Sequence, residues 1–297
     1  MTESVSDASS GTAMAGCRLG SRLSPAAGVA VTGIDLAQPL TRDQREMIVE
    51  ALCNHRVVVF PGQSLTREQQ FAFAANFGEV EHHGGRGGAA KRYGVAHVLS
   101  NLDANGTPVD RSSSAVSNYR WHTDKAYYPV PPMLTMLYAV ELPPHGGDTE
   151  FANTALAYAA LPEATKQQIA GLRVVFRWGA GLGSADEAAR AYGELARRPA
   201  VAHPLVRTHP ETGVKALYLG NHSSHIEGLP TAESAALLDR LLAHATRPEF
   251  VYAHRWQAGE LVMWDNRCLL HRAVANYDLA RDRRVLHRVV VRGSVPF

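Results

Sequence analysis

The chain has 297 residues, 45 % of them apolar and 20 % charged, the balance of an ordinary globular protein. Thirty Lys and Arg against 28 Asp and Glu leave a net charge of +2, no excess with which to neutralise a row of phosphates, so a nucleic-acid partner is excluded. Cys17, Cys53 and Cys268 are too few and too scattered for a disulfide framework or a thiolate zinc site and suit a reducing compartment. No apolar run approaches the roughly 18 residues of a membrane span. Residues 1–16, MTESVSDASSGTAMAG, lack a basic stretch followed by an apolar core. A cytoplasmic protein without a membrane partner is therefore expected. The fourteen histidines are the compositional feature that asks for a reading.

In chain order, residues 1–16 are rich in Ser, Ala, Gly and Thr and predict a disordered tail. Residues 17–297 then predict a single domain. Thr41-Arg-Asp-Gln44 is a capping box before an apolar-periodic helix containing Met47, Ile48, Ala51 and Leu52. Val57–Phe60 is strand-like and ends in a Pro61-Gly62 turn. A second capping box, Thr66-Arg-Glu-Gln69, opens a helix with Phe73 and Phe77 on one face and Gly78 as its stop. Residues 79–120 hold a glycine cluster (84–88) and a serine run (112–114). Together with 179–200, which starts GAGLGS and turns helix-like, they predict lid-like loops. Strands are predicted at 133–141, 172–178, 214–220, 249–256, 260–264 and 285–292, and a Leu-rich helix from Thr231 towards Pro248. No βαβα rhythm appears, so an α+β, mainly β fold with a large antiparallel sheet or sandwich is expected.

Three pieces carry chemistry. His122 and Asp124, in Trp121-His-Thr-Asp124, fall on one side of an extended segment and can offer an imidazole and a carboxylate to one ion. His271 ends Trp264-Asp-Asn-Arg-Cys-Leu-Leu-His271. Two histidines and one carboxylate on adjacent strands would occupy one face of an octahedron, the facial triad of non-haem Fe(II) oxygenases. Arg284 and Arg288 share strand parity, and their guanidinium forks suit carboxylates. By itself H-x-D is a weak signal, and the ligands alone also fit a hydrolytic zinc enzyme.

The ordered motifs RVVVFPGQSLTREQQFAFAANFGEVE, WHTDKAYYPVPP, PPHGGDTEFANTALAYAALP, HPLVRTHPETG, LGNHSSHIEGLP, HRWQAGELVMWDNRCLLHRA and RRVLHRVVVRG span the chain from about Gly28 onward. They resemble the taurine dioxygenase (TauD/TfdA) family of Fe(II)/2-oxoglutarate-dependent dioxygenases, most of all its 2,4-dichlorophenoxyacetate branch. The resemblance implies a double-stranded β-helix, or jelly roll, with flanking helices. It implies iron ligation by His122, Asp124 and His271, and a 2-oxoglutarate distal carboxylate held by Thr149 and Arg284. It also implies that Arg288 contacts the anionic end of the primary substrate and that Trp264 packs close to the iron.

The chemistry so implied uses Fe(II), 2-oxoglutarate and O2 to hydroxylate a small organic anion with release of succinate and CO2. The anion is an aryloxyalkanoate, alkyl sulfate ester, sulfonate or related carboxylate. Asn118, His82, His83, His222 and His225 fall where relatives place substrate contacts, while His203 and His209 read as structural. Lys125, directly after the aspartate, departs from taurine-type members, and alternation points its side chain to solvent. Relatives are commonly dimers or tetramers, so a homo-oligomer is expected. The same residues also fit a biosynthetic oxidation such as desaturation or cyclisation, or a catalytically silent jelly-roll binding protein.

Overall fold

The computed structural model describes residues 16–81, 96–110, 118–180 and 197–297. Residues 1–15, His82, His83, the glycine cluster, the serine run and most of the 179–200 segment lie outside them. The strands are β1 (Arg18–Arg22), β2 (Val29–Thr32), β3 (Val57–Phe60), β4 (His97–Ser100), β5 (Pro132–Glu141), β6 (Thr149–Asn153), β7 (Arg173–Phe176), β8 (Val201–Pro204), β9 (Val206–Thr208), β10 (Lys215–Leu217), β11 (Ser223–Ile226), β12 (Val251–His254), β13 (Leu261–Asp265), β14 (Leu269–Ala273) and β15 (Val285–Arg292). The largest sheet runs β1-β2-β3-β13-β5-β15-β4, and smaller sheets run β12-β6-β14 and β11-β7-β8. Apart from the parallel pair β2–β3, neighbouring strands of the large sheet are antiparallel. This is the jelly roll.

The apolar runs of β3, β5 and β13 have no polar alternation because both faces of the large sheet are covered. Val57, Val59, Leu137, Ala139, Val262, Trp264 and Leu286 point inward and pack with Phe151, Tyr252 and Leu269 of the opposing sheet. Val58, Phe60, Leu134, Met136, Tyr138, Leu261, Met263, Val289 and Val291 point outward, under the helices Arg42–His55 and Arg67–Ala75. A third core gathers Phe176, Leu205 and Leu219 beneath the helix Thr231–Ala245. Burying each such side chain contributes about 1.5–3 kcal/mol, so the two-sided sheet supplies the rigid frame on which the inward residues are aimed.

Both capping boxes form. Thr41 Oγ1 accepts from Gln44 N at 3.2 Å while Gln44 Oε1 accepts from Thr41 N at 3.0 Å, and Thr66 with Gln69 repeats the pattern. The second helix ends at Ala75, and Gly78 follows at φ +150°, where an added Cβ would meet Val291 Cγ1 at 3.0 Å. Within the 79–120 stretch read as a loop, β4 forms and pairs with β15. Helices Thr154–Ala159 and Glu163–Ile169 and strands β1, β2, β6, β8, β9 and β11 are additions to the sequence reading, all of them short. Among the described residues no helix is long and apolar enough to cross a membrane. Thr41→Ala and Thr66→Ala should each lower stability by about 1 kcal/mol, read as a shift of the urea midpoint followed by circular dichroism.

Candidate metal centre and its cavity

His122 and His271 come together through backbone rather than side chains. They form an antiparallel bridge, with His122 N donating to His271 O at 3.0 Å and His271 N donating to His122 O at 2.7 Å. His271 belongs to β14, whereas His122 sits in this single bridge and not in a strand, a correction to the expected pair of strands. The imidazole centroids lie 4.1 Å apart. Asp124 Oδ1 is 3.9 Å from His122 Nε2, and its Oδ2 is 3.9 Å from His271 Nε2. One ligand atom from each residue lies within 4.8 Å of the other two, and all three residues are buried. His122 Nδ1 meets Arg120 O at 2.7 Å; a carbonyl only accepts, so Nδ1 carries the proton and Nε2 presents its lone pair inward. Two neutral imidazoles and a carboxylate converging with spare room fit a divalent metal, and iron(II) among oxygenase metals.

Electrostatics keep the set in its ligating form. Burial pushes the His271 imidazole down to about 3, reinforced by His122 and Arg288 and only partly offset by Asp124. Burial also lowers His122. Burial works against the Asp124 charge, but His271, Arg288, His122 and the Thr135 hydroxyl outweigh it, and the carboxyl stays well below the usual carboxylate range.

The three residues open on a cavity of about 470 Å³ that is also lined by Asn101, Asn118, Tyr119, Leu137, Thr149, Trp264, Tyr277, Arg284, Leu286 and Arg288. Arg288 Nη1 stands 3.9 Å from Asp124 Oδ1, and its buried Nε has no hydrogen-bond partner among the described residues. Arg284, just before β15, is half-buried and donates from Nε to Gly147 O at 3.0 Å. Burial holds its pKa below the usual arginine value, partly offset by Tyr277, Tyr119 and Asp148. A desolvated guanidinium facing a cavity is an anion site. Thr149 opens β6, and its hydroxyl accepts from Trp256 Nε1 at 3.0 Å. An indole N–H only donates, so the threonine proton is left for the cavity.

Arg284 is held by its neighbours on both sides. Asn101 Oδ1 accepts from Arg284 N at 2.8 Å, and Asn101 Nδ2 donates to Leu279 O at 3.1 Å and Asp282 O at 2.8 Å. Asn276 Oδ1 accepts from Gly147 N at 2.7 Å. Gly146, at φ +73°, lies so close that an added Cβ would stand 2.2 Å from Asn276 O.

The sequence-derived residues thus divide. His122, Asp124, His271, Thr149, Arg284, Arg288, Asn118 and Trp264 share one cavity. Trp264 is both wall and core, 1 % exposed and 4.7 Å from the His271 ring. His222 is buried but packs edge-on against Tyr127 at 4.8 Å instead of lining the cavity. His225 is exposed on β11 beside Ser224, at a register shift between Ser223 and His225, and is not among the described residues that line the cavity. Lys125, expected in solvent, is only 19 % exposed and ion-paired with Glu81, with φ of +49°. Thr135, Asn266, Asn101, Trp256 and the two tyrosines were missed. The signal for Thr135 was a small polar side chain inside the apolar run of β5.

Such a centre inside a jelly roll defines the class, the 2-oxoglutarate-dependent non-haem iron dioxygenases. The model of the taurine catabolism dioxygenase TauD, TfdA family matches residues 20–290, and the chain belongs to that family. It is 41 % identical over 280 residues to the alpha-ketoglutarate-dependent 2,4-dichlorophenoxyacetate dioxygenase of Cupriavidus pinatubonensis (strain JMP 134), covering 89 % of this chain and 94 % of that one. It is 37 % identical over 262 residues to the (S)-phenoxypropionate/alpha-ketoglutarate-dioxygenase of Delftia acidovorans, covering 83 % and 86 %. The solved structure of AAD-2 with Mn(II) and N-oxalylglycine superposes with a TM-score of 0.81 at 34 % identity, covering 94 % of this chain and 98 % of that one.

Burial also lowers His203, and pushes His222 down to about 3. These histidines stay neutral in the fold while the unfolded chain protonates near its ordinary value of about 6.5, so the unfolded state binds more protons below that pH. The metal-free protein should therefore lose stability as pH falls from about 6.5 towards 4, on the order of 1 kcal/mol per pH unit from His222, with His203 acting in the same direction. Urea midpoints at pH 7.5, 6.5 and 5.5 check the direction.

Proposed function

We propose that the protein hydroxylates a small organic anion at an iron centre held by His122, Asp124 and His271, with an aryloxyalkanoate as the leading substrate class. The carrying observation is one cavity lined by two arginines with different neighbours: Arg288 beside the Asp124 carboxylate, Arg284 by Gly147. Two separate anions are thereby provided for, a cosubstrate and a substrate. When bound, Fe(II) with 2-oxoglutarate and dioxygen supplies the oxidation, in which one oxygen atom enters a substrate C–H bond and the other enters succinate as CO2 leaves.

The chain's own groups position and shield. Arg284 pairs with the distal carboxylate of 2-oxoglutarate, and the Thr149 proton, directed into the cavity by Trp256, completes that grip. Arg288 takes the carboxylate of the primary substrate, which sets the neighbouring carbon against the centre. Leu137, Leu286 and Trp264 form apolar walls that keep water away from the reacting carbon. Hydroxylation of a carbon that also bears an ether oxygen gives a hemiacetal, which breaks to a phenol and an oxo acid. The aryloxyalkanoate dioxygenases among the relatives favour this class. Arg288→Ala separates it from an uncharged substrate.

Anaerobic addition of Fe(II) and 2-oxoglutarate should raise a visible charge-transfer band, and air with an aryloxyalkanoate should then release phenol and succinate together. No band with the wild type overturns the iron centre. Arg284→Ala should raise the 2-oxoglutarate KM by about 100-fold with little effect on iron affinity, and Arg288→Ala should raise the KM for the organic acid instead, each loss matching a charge-assisted bidentate contact of about 2–3 kcal/mol. Equal KM values in wild type and Arg288→Ala would sink the anionic-substrate reading.

A further inference from the structure

Beyond the three ligands, Asp124 is tied to the aromatic wall by a chain of hydrogen bonds. Trp264 Nε1 lies 3.1 Å from Asn266 Oδ1, Asn266 Nδ2 lies 2.8 Å from Thr135 Oγ1, and Thr135 Oγ1 lies 2.5 Å from Asp124 Oδ2. All four residues are buried, Thr135 at 0 % and Asn266 and Trp264 at 1 % exposed.

The direction of every link follows from chemistry. An indole N–H has no acceptor capacity, so the atom of Asn266 facing it is the carbonyl oxygen. That fixes the amide orientation and turns its NH2 towards Thr135. The threonine oxygen accepts from the amide, which leaves its single proton for the carboxylate. Asn266 is itself locked in place, since its main-chain oxygen accepts from Thr123 Oγ1 at 2.7 Å.

We infer that Trp264, Asn266 and Thr135 form a one-way donor relay that positions the Asp124 carboxylate for metal binding, with Thr135 and Asn266 as positioning residues. The inference rests on the iron-centre reading above. Thr135 sits on β5 and Asn266 just beyond β13, two adjacent strands of the large sheet, so the carboxylate is referenced to the most rigid part of the fold. The relay also joins the carboxylate to the ring that packs on His271, so two of the three ligands share one support. A donated hydrogen bond withdraws charge from Oδ2 without introducing another cation, whereas Arg288 acts on Oδ1.

The test measures Mn(II) binding to the metal-free protein, by the electron paramagnetic resonance of free Mn(II), alongside the charge-transfer band of the anaerobic Fe(II)/2-oxoglutarate complex. Thr135→Val should weaken Mn(II) binding about 10- to 100-fold, the usual effect of removing a partner of a metal ligand, and should move the band. Thr135→Ser, which keeps the hydroxyl, should restore affinity to within about threefold. Trp264→Phe removes the indole N–H together with part of the ring, and should weaken binding by about three- to tenfold, because Asn266 Oδ1 is then held only by the Asp124 backbone N–H at 3.5 Å. Thr135→Val that folds and binds Mn(II) within twofold of the wild type overturns the relay, as does failure of Thr135→Ser to recover. If Thr135→Val does not fold, Trp264→Phe decides: unchanged affinity and band overturn the forced direction on which the inference stands. A wild type that binds no Mn(II) overturns the centre itself and the relay with it.

Discussion

Two backbone hydrogen bonds between His122 and His271 are the contact on which the site depends. They clamp a segment that belongs to no sheet onto β14, and so bring His122 and Asp124 to a histidine far along the chain. Gly220 lets a further segment close over the clamp: at φ +146°, an added Cβ would stand 3.2 Å from both the His122 Cα and the Trp121 carbonyl. The same β14 pairs with β6, which sets Phe151 opposite His271 and starts at Thr149. One register therefore fixes a metal-facing histidine, its aromatic packing and a hydroxyl of the anion pocket.

Charge inside the cavity is arranged by polarity as much as by sign. Thr149 and Thr135 play parallel parts. Each accepts from a group able only to donate in that direction, Trp256 in one case and the Asn266 amide in the other, and each is left with a proton for a carboxylate. Threonine can otherwise serve as either partner, so these tryptophan- and asparagine-imposed directions make the cavity a receiver of anions. Arg284 and Arg288 then add full charge at the two places where it is needed.

The motifs carried the centre into the sequence reading because chemistry restricts them: a metal triad and two arginines tolerate few substitutes. Strands β3 and β15 and the helix beginning at Thr231 were legible at their observed starts, since their apolar patterns are strong. What escaped was what depends on partners distant in sequence. Strand β4 reads as a loop because only pairing with β15 makes it a strand, and its residues are mostly exposed. The role of Asn266 is invisible without knowing that Thr135 lies on the neighbouring strand. His225 was singled out by the family resemblance alone, and the exposure that a strand register shift gives it has no signature in the sequence.

Asn101 adds a mechanical consequence. It follows directly on β4, the last strand of the large sheet, yet its single side chain grips the turn that delivers Arg284. The arginine proposed to hold 2-oxoglutarate is thus fastened to the sheet's outer border. Any event that loosens that border, whether thermal fraying or a neighbour docking against it, transmits directly to the arginine. Fraying there would loosen Arg284 before it disturbed the His122–Asp124–His271 set, whose supports on β5 and β13 lie two and three strands further in.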